Sequence, residues 1–344
     1  MADSTNIRLD RIMDEVYKDF YGTYPPNSPT FGGSSHESAD TNTGSAGAIE
    51  DDTPKTQAAT SGPGPAKKES EESEAKKEPE KSGMEELNEL IGLDMVKADV
   101  KELINLVKVQ KMREDKGMKT VPVSLHLVFS GNPGTGKTTV ARILSKLYKE
   151  IGVLSKGQLV EVDRSGLVAG YVGQTAIKTQ KKIEEAKGGI LFIDEAYTLA
   201  KEGNDFGQEA IDTILKAMED NRKDLVVIVA GYTNLMENFI NSNPGLKSRF
   251  NKYIEFKDYS ADELIEIFDM QCRKYNYTLS PEAKETIEKV IRDREASKGA
   301  NFANARDVRN LFETIITNQA SRVAQMENPS EEDLITIMPA DIQQ

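Results

Sequence analysis

Gly131-Asn132-Pro133-Gly134-Thr135-Gly136-Lys137-Thr138 is the stretch that decides the fold: a glycine, four residues, then glycine, lysine and a hydroxyl residue. Its glycines let successive backbone N–H groups turn inward onto an anion. Lys137 adds a point charge for the terminal phosphates, and the Thr138 hydroxyl is placed to ligate Mg²⁺. The flanks agree with this reading. Leu125-His126-Leu127-Val128-Phe129 reads as a buried strand, and Val140 to Leu147 has helical spacing. Strand, glycine loop and helix therefore follow in the order a phosphate site requires, and the helix contributes the positive end of its dipole. The chain is expected to bind a nucleoside triphosphate.

A second apolar run, Ile190-Leu191-Phe192-Ile193, ends in Asp194-Glu195. Beside a phosphate loop, Asp194 suits the Mg²⁺ shell and Glu195 suits the orientation of an attacking water. Hydrolysis is expected as well as binding. Leu159-Val160-Glu161-Val162, Leu225 to Val229 and Tyr253-Ile254-Glu255-Phe256 supply three more strands between helical stretches. Five strands alternating with helices predict a parallel α/β sheet with the ligand at the carboxyl ends of its strands. From about Ser260 the pattern changes to amphipathic helices without strands, which predicts a small helical domain over 259–344 after an ATPase domain over 83–258.

The N-terminal quarter is different. From Pro25 to Ser82 the large apolar residues are Phe31 and Ile49, set among Ser, Gly, Pro, Glu and Lys, so 25–82 reads as a disordered charged linker. In residues 1–24, Leu9, Ile12, Met13, Val16, Tyr17 and Phe20 fall at helical spacing and form one apolar stripe. The chain has 344 residues and a formal charge of −13, and its acidic excess holds both before and after Ser82. Nucleic acid is disfavoured as the main partner on that balance. One cysteine, Cys272, excludes an intrachain disulfide, and no apolar run approaches a bilayer span. A cytoplasmic protein is expected.

Taken together, the phosphate loop with Thr139 after it, Phe192 to Tyr197, Ala230-Gly231-Tyr232, Asn243 to Phe250 and Asn304 to Asn310 resemble the AAA+ ATPases. The likeness is to the branch containing stage V sporulation protein K and the red-type Rubisco activase CbbX. It covers the chain from about Met84 onward. The resemblance implies a P-loop ATPase module with a helical lid, ATP and Mg²⁺ as ligands, and a ring, six-membered by family habit, acting on a protein client. It also implies site residues. Gly92, between Ile91 and Leu93, matches the segment lining the adenine pocket. Arg249 matches an arginine finger reaching the γ-phosphate of a neighbouring subunit. Arg306 matches the lid arginine that senses nucleotide. The polar group after the fourth strand falls among Tyr232, Thr233 and Asn234, with Thr233 preferred. Tyr171-Val172-Gly173 matches a loop that grips an extended polypeptide in a central pore, and Glu202 to Gly207 is a candidate second loop. A nucleotide-switched assembly ATPase without translocation is the alternative function.

Overall fold

Three strands of the central sheet are buried along their whole length and almost wholly apolar, and a strand of that kind is stable only when both its faces are covered. The computed structural model describes residues 81–344 apart from 122, 172, 201–205, 300–301 and 343–344. The expected N-terminal helix and linker, up to residue 80, lie outside the described residues. So do Val172 and positions 202–205 of the two candidate pore loops.

The described chain opens with α1 (Gly83–Glu89), capped by Ser82 and Glu85 in a reciprocal pair of side-chain to backbone bonds, and α2 (Asp94–Asp115). The elements β1 (Leu127–Gly131), α3 (Lys137–Glu150), β2 (Leu159–Val162), α4 (Arg164–Leu167), α5 (Gln174–Ala186) and β3 (Ile190–Ile193) follow. After a 3-10 turn at Ala196–Ala200 come α6 (Gly207–Asp220), β4 (Val226–Gly231), α7 (Thr233–Asn241), α8 (Pro244–Arg249) and β5 (Tyr253–Phe256). The five strands form one parallel sheet in the order β2-β3-β4-β1-β5. The central three are buried throughout, whereas edge strand β5 alternates between exposed and buried residues. Alternation along each strand sends Leu127, Phe129, Phe192 and Ile228 to one face, against α1, α2 and α3. Val128, Leu191, Ile193 and Val229 go to the other, against α5, α6, α7 and α8. Each fully buried side chain of this size contributes about 1.5–3 kcal/mol. Phe129, between Phe192 and Phe256, is the residue whose truncation should cost most, about 3–5 kcal/mol.

The lid follows as α9 (Ala261–Lys274), β6 (Thr278–Leu279), α10 (Pro281–Ala296), α11 (Ala305–Val323), α12 (Glu331–Ile335), β7 (Thr336–Ile337) and α13 (Pro339–Ile342). Its core gathers Phe268, Tyr275 and Tyr277 around Phe312 at centroid distances of 5.7, 5.9 and 6.0 Å. The expectation of helices without strands needs one correction. Strands β6 and β7 pair in parallel, because Ile337 must reach the lid core in an extended stretch where it is fully buried.

Candidate active site

The phosphate loop connects the end of β1 to the start of α3, and its shape depends on missing side chains. Gly131 has φ +147, and a Cβ there would stand 2.2 Å from the Phe256 carbonyl oxygen. Gly134 has φ +71, and its Cβ would stand 2.1 Å from the carbonyl oxygen of Ala303 in the lid. Gly136 caps α3 in a left-handed conformation with no side chain accepting from the first N–H groups, so these donors face outward at the positive end of the helix. Thr135 is fully buried and its hydroxyl donates to the Asn132 carbonyl at 2.8 Å, which holds the loop's curve. The Lys137 ammonium donates to the carbonyls of Gly131 and Asn132 at 2.9 and 2.7 Å. Burial lowers its pKa; Asp194 opposes that, Arg306 adds to the lowering, and Asp258 opposes it. Thr138 is half-buried beside Lys137, and Thr139 is exposed.

Asp194 leaves the end of β3 with its N–H on the Val162 carbonyl at 2.8 Å. Its carboxylate accepts the Glu195 N–H at 3.0 Å. Glu195 adopts φ +47, a conformation that costs a non-glycine residue about 1–3 kcal/mol and persists only where neighbours hold it. Thr198 does so, donating its N–H and its hydroxyl to the Glu195 carbonyl at 2.8 and 2.7 Å. The exposed Glu195 carboxylate thereby joins a cleft lined by Asp163, Arg164, Ser165, Val168 and Thr198. Glu161 of β2 also faces this region, with Thr138 Oγ1 at 3.4 Å from its carboxylate. Burial raises the Glu161 pKa, Arg142 opposes the rise and Asp194 adds to it.

From the other side, the segment Ile91-Gly92-Leu93 sits between sheet and lid. Gly92 has φ +58, with the Glu263 carboxylate of α9 where a side chain would be. Leu93 packs against both the sheet core and the lid core. Arg306, in the first turn of α11, follows a loop that touches Gly134, and its charge acts on Lys137.

Of the remaining candidates, Thr233 follows the carboxyl end of β4, the neighbour of β1 and β3 in the sheet. Thr233 is exposed in the first turn of α7, directly after Tyr232, whose ring lies 6.2 Å from that of Tyr197. Tyr171 is 74% exposed, and open space surrounds the Cβ positions of Gly170 and Gly173 on either side of it. Arg249 lies at the amino end of the strands: its carbonyl accepts from Ser124, ahead of β1, at 2.9 Å, and its charge acts on His126. At about 3.3 Å per extended residue, roughly 23 Å of chain separates Ser124 from Gly131. One polypeptide thus brings Lys137, Thr138, Asp194, Glu195, Gly92 and Arg306 around a single loop and leaves Arg249 far from it.

Residues 127–258 match the model of the ATPase family associated with various cellular activities (AAA), and residues 260–344 match the AAA lid domain. Stage V sporulation protein K of Bacillus subtilis is 43% identical over 75% of this chain and 80% of its own length. The chain belongs to the AAA ATPase family. Protein CbbX of Cereibacter sphaeroides is 46% identical over 71% of this chain and 79% of its own. The ribulose bisphosphate carboxylase/oxygenase activase of Cyanidioschyzon merolae is 41% identical over 74% of this chain and 87% of its own. As a member of the AAA ATPases the chain binds nucleotide and hydrolyses ATP to ADP and phosphate. Two residues that touch this AAA phosphate loop escape sequence reasoning. Asn304 stands in a quoted motif, yet nothing there distinguishes its side chain from that of a solvated cap. Asp258 carries no signal, being one polar residue after a strand. Among the described residues no helix is long and apolar enough to cross a membrane.

Proposed function

We propose that this AAA ATPase works as a cytoplasmic ring, of six copies, which uses Mg²⁺-dependent ATP hydrolysis to remodel a protein client. The observation that carries the reading is the position and loose fixing of Arg249. Its guanidinium lies 3.5 Å from the Gly245 carbonyl and 4.0 Å from the Glu219 carboxylate, whereas charge-assisted bonds run near 2.7–2.9 Å. A cation held this slackly, and set roughly a strand's length from its own phosphate loop, is suited to the triphosphate of a neighbouring copy.

The geometry supports a role for each residue. Backbone N–H groups from Gly134 to Thr139 cradle the phosphates, and Lys137 exchanges its two loop carbonyls for the terminal phosphates. Thr138 and Asp194 would hold Mg²⁺, which commonly takes one or two protein ligands, and the ion would draw charge from the transferred phosphoryl group. Glu195 accepts the proton of the attacking water, a contribution of about 10²–10⁴ in rate. Arg306 from the lid, Arg249 from the neighbouring copy and Thr233 after β4 complete the polar surround, with Gly92 beside the base.

Tyr171 contacts the client. Between two glycines in open space, its ring can swing and press an apolar face on any extended chain. The relation to an activase named for a protein target supports a protein client here too. The test is ATP hydrolysis with and without an unfolded, carboxymethylated protein as the probe. Stimulation that disappears in Tyr171→Ala supports threading. Stimulation that survives the change favours a nucleotide-switched assembly without translocation.

A further inference from the structure

The lid meets the phosphate loop through polar side chains, one of them fully buried, and these converge on one carboxylate. Asp258, two residues past β5, accepts from the Asn132 side-chain amide of the phosphate loop at 2.9 and 3.1 Å. The same carboxylate accepts from the Asn304 side-chain amide of the lid at 2.8 Å. Asn304 is fully buried and uses the rest of its amide as well. It donates to the Pro133 carbonyl at 3.3 Å and accepts the Tyr259 N–H at 3.0 Å. The adjacent backbone adds a direct link, from the Ala305 N–H to the Gly134 carbonyl at 3.2 Å.

Asn304 also has a backbone that side chains rarely adopt, φ +51 with ψ −126, at the N-cap of α11 and two residues before Arg306. Such a conformation costs about 1–3 kcal/mol and needs its surroundings to hold it. What holds it here is the amide's grip on Asp258, Pro133 and Tyr259. Release of that side chain frees the backbone to relax, and relaxation turns the start of the helix that carries Arg306. The bonds at stake are strong ones, because both amides donate to a carboxylate and one of them is fully buried.

We propose that Asn132, Asp258 and Asn304 form a latch that seats the lid on the phosphate loop and aims Arg306 at the bound triphosphate, so that movement of the loop reaches the lid through these three side chains. They are positioning residues, acting through Arg306, and the idea rests on the reading of Arg306 as a phosphate contact. The charges of Arg306 and Asp258 both act on Lys137, which agrees with their closeness to the loop. Neither the phosphate-loop pattern nor the lid arginine requires this carboxylate or either amide.

The experiment uses the full chain and amide hydrogen exchange over residues 302–307, first without nucleotide. Asn304→Gly deletes the side chain while allowing the same φ, and Asp258→Asn removes the double acceptor. Each should speed exchange by about tenfold or more, the effect of losing a hydrogen bond to a charged group. The pair Asn304→Asp with Asp258→Asn rebuilds one donor and acceptor in reverse. It should return exchange most of the way to the parent value. With Mg²⁺ and ATP, the single variants should raise KM more than they lower kcat and lose the nucleotide-dependent protection of the same segment. Exchange unchanged in both single variants, or a reversed pair worse than either, overturns the latch. If Asn304→Gly does not fold, Asp258→Asn and the reversed pair decide alone. Arg306→Ala separates the two readings: an unchanged ATP affinity there overturns the role of Arg306, while the exchange without nucleotide still judges the latch.

Discussion

The two ends of the central sheet are built on opposite rules. At the carboxyl ends the backbone is forced into unusual shapes: Gly131, Glu195 and the facing Leu93 and Asn304 all have positive φ. Charged groups crowd together there, and the first N–H groups of α3 carry no side-chain cap. At the amino ends the left-handed positions, Gly157 and Gly188, fall on glycine, and the buried His126 is matched within the fold. His126 accepts the Val227 N–H at 3.0 Å through Nδ1, and burial with the nearby Arg249 charge pulls its pKa down to about 4, so it stays neutral. The lesson is that strain and charge gather where a ligand completes the structure. Arg249 is the exception at that end, and its slack contacts suit the proposed reach to a neighbouring copy.

The strongest way to break this comparison is at the strained end. Lys137→Ala should abolish measurable nucleotide binding, whereas Glu195→Gln should keep binding and lose turnover by at least about 100-fold. Binding titrations beside steady-state hydrolysis check both, and rapid turnover by Glu195→Gln would remove that residue from catalysis.

Arg249→Ala should lower hydrolysis by about 10³-fold or more while leaving the fold intact. If the arginine acts across copies, mixing Lys137→Ala with Arg249→Ala should recover activity, since some interfaces then hold both native residues. Absence of recovery at every ratio would return Arg249 to a role in its own chain.

A third change sharpens the contrast between a slack arginine and a fixed one. Arg322 of α11 makes two bonds, at 2.8 and 3.0 Å, to the carboxylate of Asp341, which is 2% exposed. Arg322→Ala strands that buried charge and should destabilise the lid by about 3 kcal/mol. Arg249→Ala should shift stability by much less, about 0.5–1 kcal/mol, as a change with few close contacts does. Denaturant titration of both variants measures the difference, and equal losses would contradict it.

A more gradual effect concerns pH at the amino ends. The folded pKa of His126, about 4, lies below its ordinary value of 6.5. Below pH 6.5 the unfolded chain takes up a proton that the folded chain refuses, so stability falls as pH drops from 6.5 toward 4 and is fully present above that window. The loss reaches about 3 kcal/mol at its limit. His126→Asn supplies an oxygen to the Val227 N–H without titrating, and should flatten the profile in that window. An unchanged slope would mean other groups carry it.

Much of this molecule is determined by short stretches of sequence. The phosphate loop, the five strands, Asp194-Glu195 and the amphipathic lid are legible because glycine conformation, side-chain alternation and helical spacing act over a few residues. The strand boundaries move by two residues at most: β1 covers Leu127–Gly131 where Leu125 to Phe129 reads as the apolar run. What the tertiary structure alone decided is which distant groups meet. Asn132 reaches Asp258 across 126 positions, Asn304 reaches Pro133 across 171, and Ser124 reaches Arg249 across 125. The strand order β2-β3-β4-β1-β5 sets β1 beside β5, so the residues just past these strands converge at one end while Arg249 and His126 share the other. Local propensity is the same for a carboxylate in solvent and for one held between the amides of Asn132 and Asn304. The strained Asn304 and the doubly bonded Asp258 exist because a lid, folded on its own core, closes on the loop.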